Sequence, residues 1–119
     1  METLLDNIQR GISSYRFDVI DEKELQEQLY ELVLKDLGFI REFHLSKESI
    51  IDFYHMETKV GIEVKIGGAK MAIYRQCRRY AKTGRLSFLY VVSSKDLGNW
   101  FEDIEGVPSG VIKLGENLL

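Results

Sequence analysis

The sequence predicts a single α/β domain, a mixed sheet flanked by helices, built in the order helix, strand, strand, strand, helix, strand. Three observations predict it. Apolar residues recur at helical spacing (Leu25, Leu29, Leu32, Val33), then in three short stretches between Phe39 and Ile66, then at helical spacing again (Ala69, Ile73, Cys77, Tyr80). Leu86 to Val92 is an apolar run rich in aromatic and β-branched residues, as a strand buried on both faces requires. The chain of 119 residues is 45% hydrophobic and 29% charged with one proline, enough for one compact core and too little for two.

The elements follow in order. Leu4, Leu5, Ile8 and Ile12 place an amphipathic helix in Met1 to Ser14, with Gly11 and Ser13 weakening its end. Asp21 and Glu24 read as a capping pair, and the Leu25, Leu29, Leu32, Val33 stripe then runs as one helix to a stop at Gly38. Phe39 to Leu45, Ser49 to Met56 and Val60 to Ile66 read as strands of an antiparallel meander, with turns at Ser46 to Glu48 and Glu57 to Lys59. After Gly67 and Gly68 a helix runs to about Thr83, stopped by Gly84. The strand from Leu86 to Val92 belongs at the centre of the sheet. Asp96 to Ile104 reads as a short helix and Gly110 to Leu114 as a final edge strand.

Composition narrows the function classes. A net charge of -3 argues against a protein that coats nucleic acid by bulk charge. The charges are nevertheless segregated: Glu22 to Asp36 is mainly acidic, while Lys65 to Arg85 carries seven cations and no acid. Apolar runs of about five residues fall well short of the roughly 20 needed to cross a bilayer, so no membrane partner is expected. No export signal is visible in the first residues. The single cysteine, Cys77, has no partner for a disulfide or a thiolate metal site; a reducing cytoplasm is the expected setting and core packing its expected role.

Chemistry concentrates in two strands. Alternation sends Val60, Ile62, Val64 and Ile66 to one face of their strand, and Glu63 and Lys65 to the other. On the preceding strand, Ile51, Phe53 and His55 oppose Ile50, Asp52 and Tyr54, so Asp52 can meet Glu63 across the ladder. Two semi-buried carboxylates repel and lose hydration unless something compensates them, and a divalent cation does so. Mg²⁺ takes hard oxygen ligands and keeps several waters; Asp52, Glu63 and the main-chain carbonyl of Val64 would leave room for water and a phosphate oxygen. Lys65 would then orient the attacking water or help deprotonate it, and stabilise charge building on the phosphate.

The pattern acid-x-Lys occurs at Asp21 to Lys23, Glu57 to Lys59 and Glu63 to Lys65, so alone it carries little. Only Glu63 and Lys65 interrupt an apolar strand, Gly-Ile-Glu-Val-Lys-Ile. The competing reading is a cross-strand salt bridge on a half-exposed sheet.

With Ile-Ile-Asp-Phe at Asp52 and Ile-Glu-Val-Lys at Glu63 and Lys65, eleven residues apart, the chain resembles the PD-(D/E)xK nuclease superfamily over Asp21 to Ser93. Ile51 stands where that name has proline. The resemblance implies a restriction endonuclease-like core in the element order above, a Mg²⁺ cofactor for which Mn²⁺ can substitute, and hydrolysis of phosphodiester bonds in nucleic acid, with DNA the expected class. It also implies a glutamate on the first core helix, assigned to Glu27 with Glu24 and Glu31 as neighbouring alternatives, and a glutamine on the second, Gln76, that orients Lys65 or the substrate. Lys70, Arg75, Arg78, Arg79 and Lys82 would grip phosphates beside the site, against the alternative of a solvated helix face. Tyr74 and Tyr80 are candidates for base stacking or for the core. His44 and His55 show no ligand spacing. A homodimer would place two sites against two strands. A nuclease-like fold acting as a noncatalytic binding or assembly module, and an ordinary α/β protein with strand salt bridges, are the rival readings.

Overall fold

The computed structural model describes residues 3–115, the Trp100 side chain aside. Thr3 opens helix α1 (Leu4–Ser13): its hydroxyl accepts from the Asp6 N–H while the Asp6 carboxylate accepts from the Thr3 N–H, satisfying two donors that the first turn leaves bare. Met1 and Glu2, assigned to the same helix by spacing, lie outside the described residues. Asp21 caps helix α2 (Glu22–Leu29) by accepting from the Lys23 and Glu24 N–H groups.

The single helix expected to run on to Gly38 changes form after Leu29. Tyr30–Leu34 is a π-helical turn, with Lys35 N–H bonded to Tyr30 O and Phe39 N–H to Leu34 O, each five residues back. The wider turn rotates the following residues, so Leu34 is fully buried while Leu32, expected in the stripe, is 43% exposed.

Strands β1 (Ile40–His44), β2 (Ile50–His55) and β3 (Val60–Lys65) form the antiparallel meander that the alternation predicts. Helix α3 (Lys70–Lys82) carries the chain to β4 (Phe88–Ser93), which pairs parallel with β3. Beyond it two expectations fail. The helix expected over Asp96 to Ile104 is a 3-10 turn at Gly98–Phe101 followed by a two-residue strand, β5 (Asp103–Ile104). Gly98 sits at φ +71, a left-handed conformation that does not propagate a right-handed helix. The last strand, β6 (Val107–Lys113), starts earlier than Gly110 and is interior, parallel to β4 on one side and antiparallel to β5 on the other. Pro108, which lacks an N–H, lies in its first half and faces Asp103, where the pairing is only two residues long.

The six strands lie in the order β1-β2-β3-β4-β6-β5, with β4 central as expected. One face packs Ile62, Val64, Tyr90 and Val92 against Ile8 and Ile12 of α1 and Leu25 and Leu29 of α2. The other packs Ile51, Leu89 and Val91 against Ile73, Cys77 and Tyr80 of α3 and Phe101 of the 3-10 turn. Gly61 allows this second layer to close over β3, since a Cβ there would stand 2.6 Å from Ile51 Cδ1 and 2.7 Å from Leu86 Cδ2. Among the described residues no helix is long and apolar enough to cross a membrane.

One irregularity positions the chemistry. Strict alternation would put Ile51 and Phe53 on the same face, but Ile51 packs with the α3 layer and Phe53 with the α1–α2 layer. Arg41 pairs with Phe53 and Phe43 with Ile51, while Glu42, between them, takes φ +50 and drops out of the ladder. Both strands turn over at this level. The β2–β3 ladder likewise ends at Phe53↔Ile62, one pair short of Asp52 and Glu63.

Candidate metal and nucleic-acid site

Where the β2–β3 ladder stops, side chains take over its hydrogen bonds. The Val64 N–H donates to Asp52 Oδ2 at 2.8 Å, and the Asp52 N–H donates to Glu63 Oε1 at 3.3 Å. The two carboxylates therefore meet because β2 breaks, rather than across a regular ladder on a shared face. Glu63 is 2% exposed, and Lys65 Nζ stands 3.5 Å from Glu63 Oε2. Asp52, Glu63, Val64 and Lys65 thus occupy one corner, at the carboxyl end of β3.

The electrostatics of this corner are unfavourable in isolation. Burial, and then the charge of Asp52, push the Glu63 carboxyl up to about 8, with Lys65 opposing the shift. Burial also pushes Asp52 up to about 6, against the Val64 N–H bond and Lys65, which favour its charged form; the charge of Glu22 adds to the rise. One lysine does not offset two crowded acids.

Glu22 itself was not among the residues singled out in the sequence. It reaches forward from the first turn of α2 and accepts from the Ile66 N–H at 3.1 Å, just past the end of β3. Glu27, the expected helix acid, instead pairs with Arg41 at 3.1 Å and lies on the exposed side of α2, away from this corner. Glu24 is exposed, and Glu31 pairs with Lys35 at 3.9 Å. The signal for Glu22 was present: Glu22, Leu25 and Leu29 stand at i, i+3 and i+7, which puts the acid on the buried stripe. A helical side chain also leans toward the N-terminus, so a first-turn acid projects past the helix end.

Tyr80 closes the corner from the α3 side. Its hydroxyl donates to Ile50 O at 2.8 Å and accepts from Gln76 Nε2 at 2.8 Å. Burial and the neighbouring Glu63 and Asp52 charges raise its pKa, keeping it a neutral hydroxyl. Gln76 therefore acts on this corner through Tyr80, where the sequence reading had it orient Lys65 or the substrate. Tyr80 is 2% exposed, which leaves it no face for a base. Cys77, fully buried beside it, has its thiol pushed up to about 12 by burial and then by Glu63, so it is an inert packing group as expected.

The cations of α3 lie elsewhere. Arg75, Arg78, Arg79 and Lys82 line a shallow recess of about 210 Å³. Their positions fall on the side of the helix away from the Ile73, Cys77, Tyr80 stripe, and Arg78 Nε stands 3.3 Å from Glu105. Lys70, at the start of the helix, lies beside Gly98. His55 bonds Thr58 through Nδ1 at 2.8 Å and packs its ring on Phe39, a structural role.

The donors of the corner are carboxylate oxygens, the hard ligand type that a divalent cation takes. Among the described residues no three His, Cys, Asp or Glu side chains converge on one point, so the anionic donor set is the Asp52–Glu63 pair. Two carboxylates suit Mg²⁺, which fills its remaining positions with water, better than Ca²⁺, which takes six to eight oxygens. Burial raises both carboxyls and the charge of Asp52 raises Glu63 further, a cost that added positive charge would offset. No family model, curated protein or solved structure matches this chain.

Proposed function

We propose that the chain is a metal-dependent nuclease with a restriction endonuclease-like core of the PD-(D/E)xK kind, hydrolysing phosphodiester bonds in nucleic acid, with DNA the substrate class expected. The observation that carries this reading is Glu63: a carboxylate 2% exposed, set against a second carboxylate and a lysine at the open end of a central strand. Packing gives no reason for an acid there, and burying like charges is costly.

Asp52 and Glu63 would hold Mg²⁺ or Mn²⁺, with the Val64 carbonyl as the main-chain candidate. Bound there, the cation supplies Lewis-acid polarisation of the phosphate and a more acidic water. Glu22 presents an acceptor to waters of the same corner. Lys65 orients the attacking water and places positive charge where the phosphate oxygens gain negative charge. Tyr80, held between Ile50 O and Gln76, buttresses Glu63. The cations on the outer side of α3 are too far round the helix to touch a scissile phosphate at Lys65, and in this reading they hold flanking backbone. A twofold pair of domains would present two such sites to two strands.

One observation favours a noncatalytic, nuclease-like binding module as the second reading. The acids already have internal partners in the Val64 and Asp52 N–H groups and Lys65. A cleavage assay separates the two. End-labelled duplex, single-stranded, flap and four-way DNA, and their RNA counterparts, are incubated with Mg²⁺, Mn²⁺ or EDTA. The nuclease reading expects product that needs the cation and falls at least about 100-fold in Lys65→Ala, in the range seen when a charge-stabilising group is removed. Absence of product on every substrate would count for the binding module, and equal product from Lys65→Ala would remove the lysine from the mechanism.

A further inference from the structure

Helix α3 has two sides of opposite character. Its inner side carries Ile73, Cys77 and Tyr80 to the sheet, while Arg75, Arg78, Arg79 and Lys82, spaced i, i+3, i+4 and i+7, form one stripe along its outer side. These four side chains line the shallow recess of about 210 Å³. Folding alone gives little reason for the stripe. Cations near a helix C-terminus complement its dipole, which accounts for Arg79 and Lys82 in the last turn. Like charges three and four positions apart nevertheless destabilise a helix, and the stripe sets both Arg75 and Lys82 against both Arg78 and Arg79.

Arg78 is held by an acid from another element. Glu105 Oε2 stands 3.3 Å from Arg78 Nε, an ion pair without the alignment of a hydrogen bond, so this solvent-shielded N–H has no acceptor. Glu105 reaches it from the two-residue turn joining β5 to β6, where Glu105 takes φ +52 and Gly106 φ +84. A turn with both residues left-handed favours Asn, Asp or Gly at its first position. Glutamate therefore stands there against local preference, with its carboxylate on the cationic stripe. Arg75, Arg79 and Lys82 are exposed, and none of the three pairs with an acid among the described residues.

We propose that the outer side of α3 binds the phosphate backbone of a nucleic-acid duplex without reading its sequence, and that Glu105 competes with phosphate for Arg78. From Arg75 to Lys82 the stripe extends about 10 Å at about 1.5 Å per residue, roughly three nucleotides of strand at about 3.4 Å each. Guanidinium groups match phosphate oxygens with paired N–H donors. No apolar or aromatic side chain lines the recess, and such side chains are the anchors that a protein partner or a membrane surface would need. The inner side of the same helix carries Gln76 and Tyr80 to the acidic corner, so one rigid element joins grip and corner. The proposal rests on the nuclease reading only for the purpose of the grip, which is to hold the duplex beside the bond to be cut.

The test is binding, measured apart from cleavage. Fluorescence anisotropy of two labelled DNA duplexes of unrelated sequence is followed with the full chain in EDTA, between about 50 and 200 mM salt. The proteins are the wild type, Arg75→Ala, Arg79→Ala, Glu105→Gln and, as a control for net charge, Glu31→Gln on the opposite layer of the sheet. The proposal predicts equal wild-type affinity for the two duplexes. Each arginine variant should bind both more weakly, with a log Kd against log salt slope shallower by about 0.9, the share of one phosphate contact. Glu105→Gln should bind about 5-fold more tightly at roughly 0.15 M salt, with a slope steeper by a similar amount, and Glu31→Gln should match the wild type. No duplex binding by the wild type, or wild-type slopes in both arginine variants, would overturn the surface; equal affinity in Glu105→Gln and Glu31→Gln would overturn the competition. The two readings fail separately. A wild type that cleaves while Arg75→Ala and Arg79→Ala match it in Kd and KM removes the surface and keeps the nuclease; arginine-dependent binding without cleavage of any substrate removes the nuclease and keeps the surface.

Discussion

Glu63 shows how one buried residue sets the behaviour of its surroundings. Its folded pKa, about 8, lies above the ordinary 4.5, and that of Asp52, about 6, above 3.8. For a group with a raised folded pKa, the protonated form is the one that folding favours. Its contribution is therefore complete at low pH and is lost as pH rises through the folded value. Melting temperature in EDTA should fall between about pH 4 and pH 8, and Glu63→Gln should flatten that fall. Saturating Mg²⁺ should also flatten it, because the cation binds the deprotonated pair. A flat wild-type profile would mean that the two acids are not crowded as described. Glu22 and Glu27 supply a second comparison at this scale. Glu22→Gln should lower cleavage by at least about tenfold while Glu27→Gln leaves kcat unchanged, since one acid reaches the corner and the other pairs with Arg41 on the surface; tenfold corresponds to about 1.4 kcal/mol of barrier. Equal effects from the two would return the choice of helix acid to the exposed face of α2.

At the scale of the element, the π-turn at Tyr30–Leu34 decides which leucine is core. Leu34→Ala should cost about 2–5 kcal/mol, as for a fully buried leucine, and Leu32→Ala about 0.5 kcal/mol or less; urea unfolding of the two variants checks the register directly. The same turn marks a boundary of what the sequence shows. Caps, periodicity and alternation fix α1, the start of α2, the β1–β2–β3 meander, α3 and β4, because each is a local preference that the tertiary contacts reinforce. What escaped was decided by contacts between distant segments. The change of helix form depends on what Leu34 meets in the core, and the inclusion of Pro108 in β6 depends on how short β5 is. The break at Asp52 requires Glu42 to adopt φ +50 on the neighbouring strand. In the site, Asp52, Glu63 and Lys65 were legible because charges in an apolar strand need a reason. Glu22 was legible too, on the same stripe as Leu25 and Leu29, but was absorbed into an acidic segment. Tyr80 read only as a stacking or core candidate; its role as a link between Gln76 and Ile50 O appears only when α3 is laid on β2.

For the molecule as a whole, the sheet is a device for bringing separate segments to one end. The helix start at Glu22, the broken strand at Asp52 and the strand end at Lys65 converge beside the β3 carboxyl terminus. The cationic side of α3 lies apart from that corner, a local concentration of positive charge in a protein of net charge -3. In the proposed reading, the convergence of Asp52 and Glu63 makes a divalent-cation site. Calorimetric titration of Mn²⁺ into the wild type, Asp52→Asn and Glu63→Gln tests it without any knowledge of the natural substrate. The account predicts one site per chain in the wild type, tightening as pH rises through the raised carboxyl values, and loss of that site in both variants. No heat at millimolar Mn²⁺, or the same isotherm in all three proteins, would contradict it.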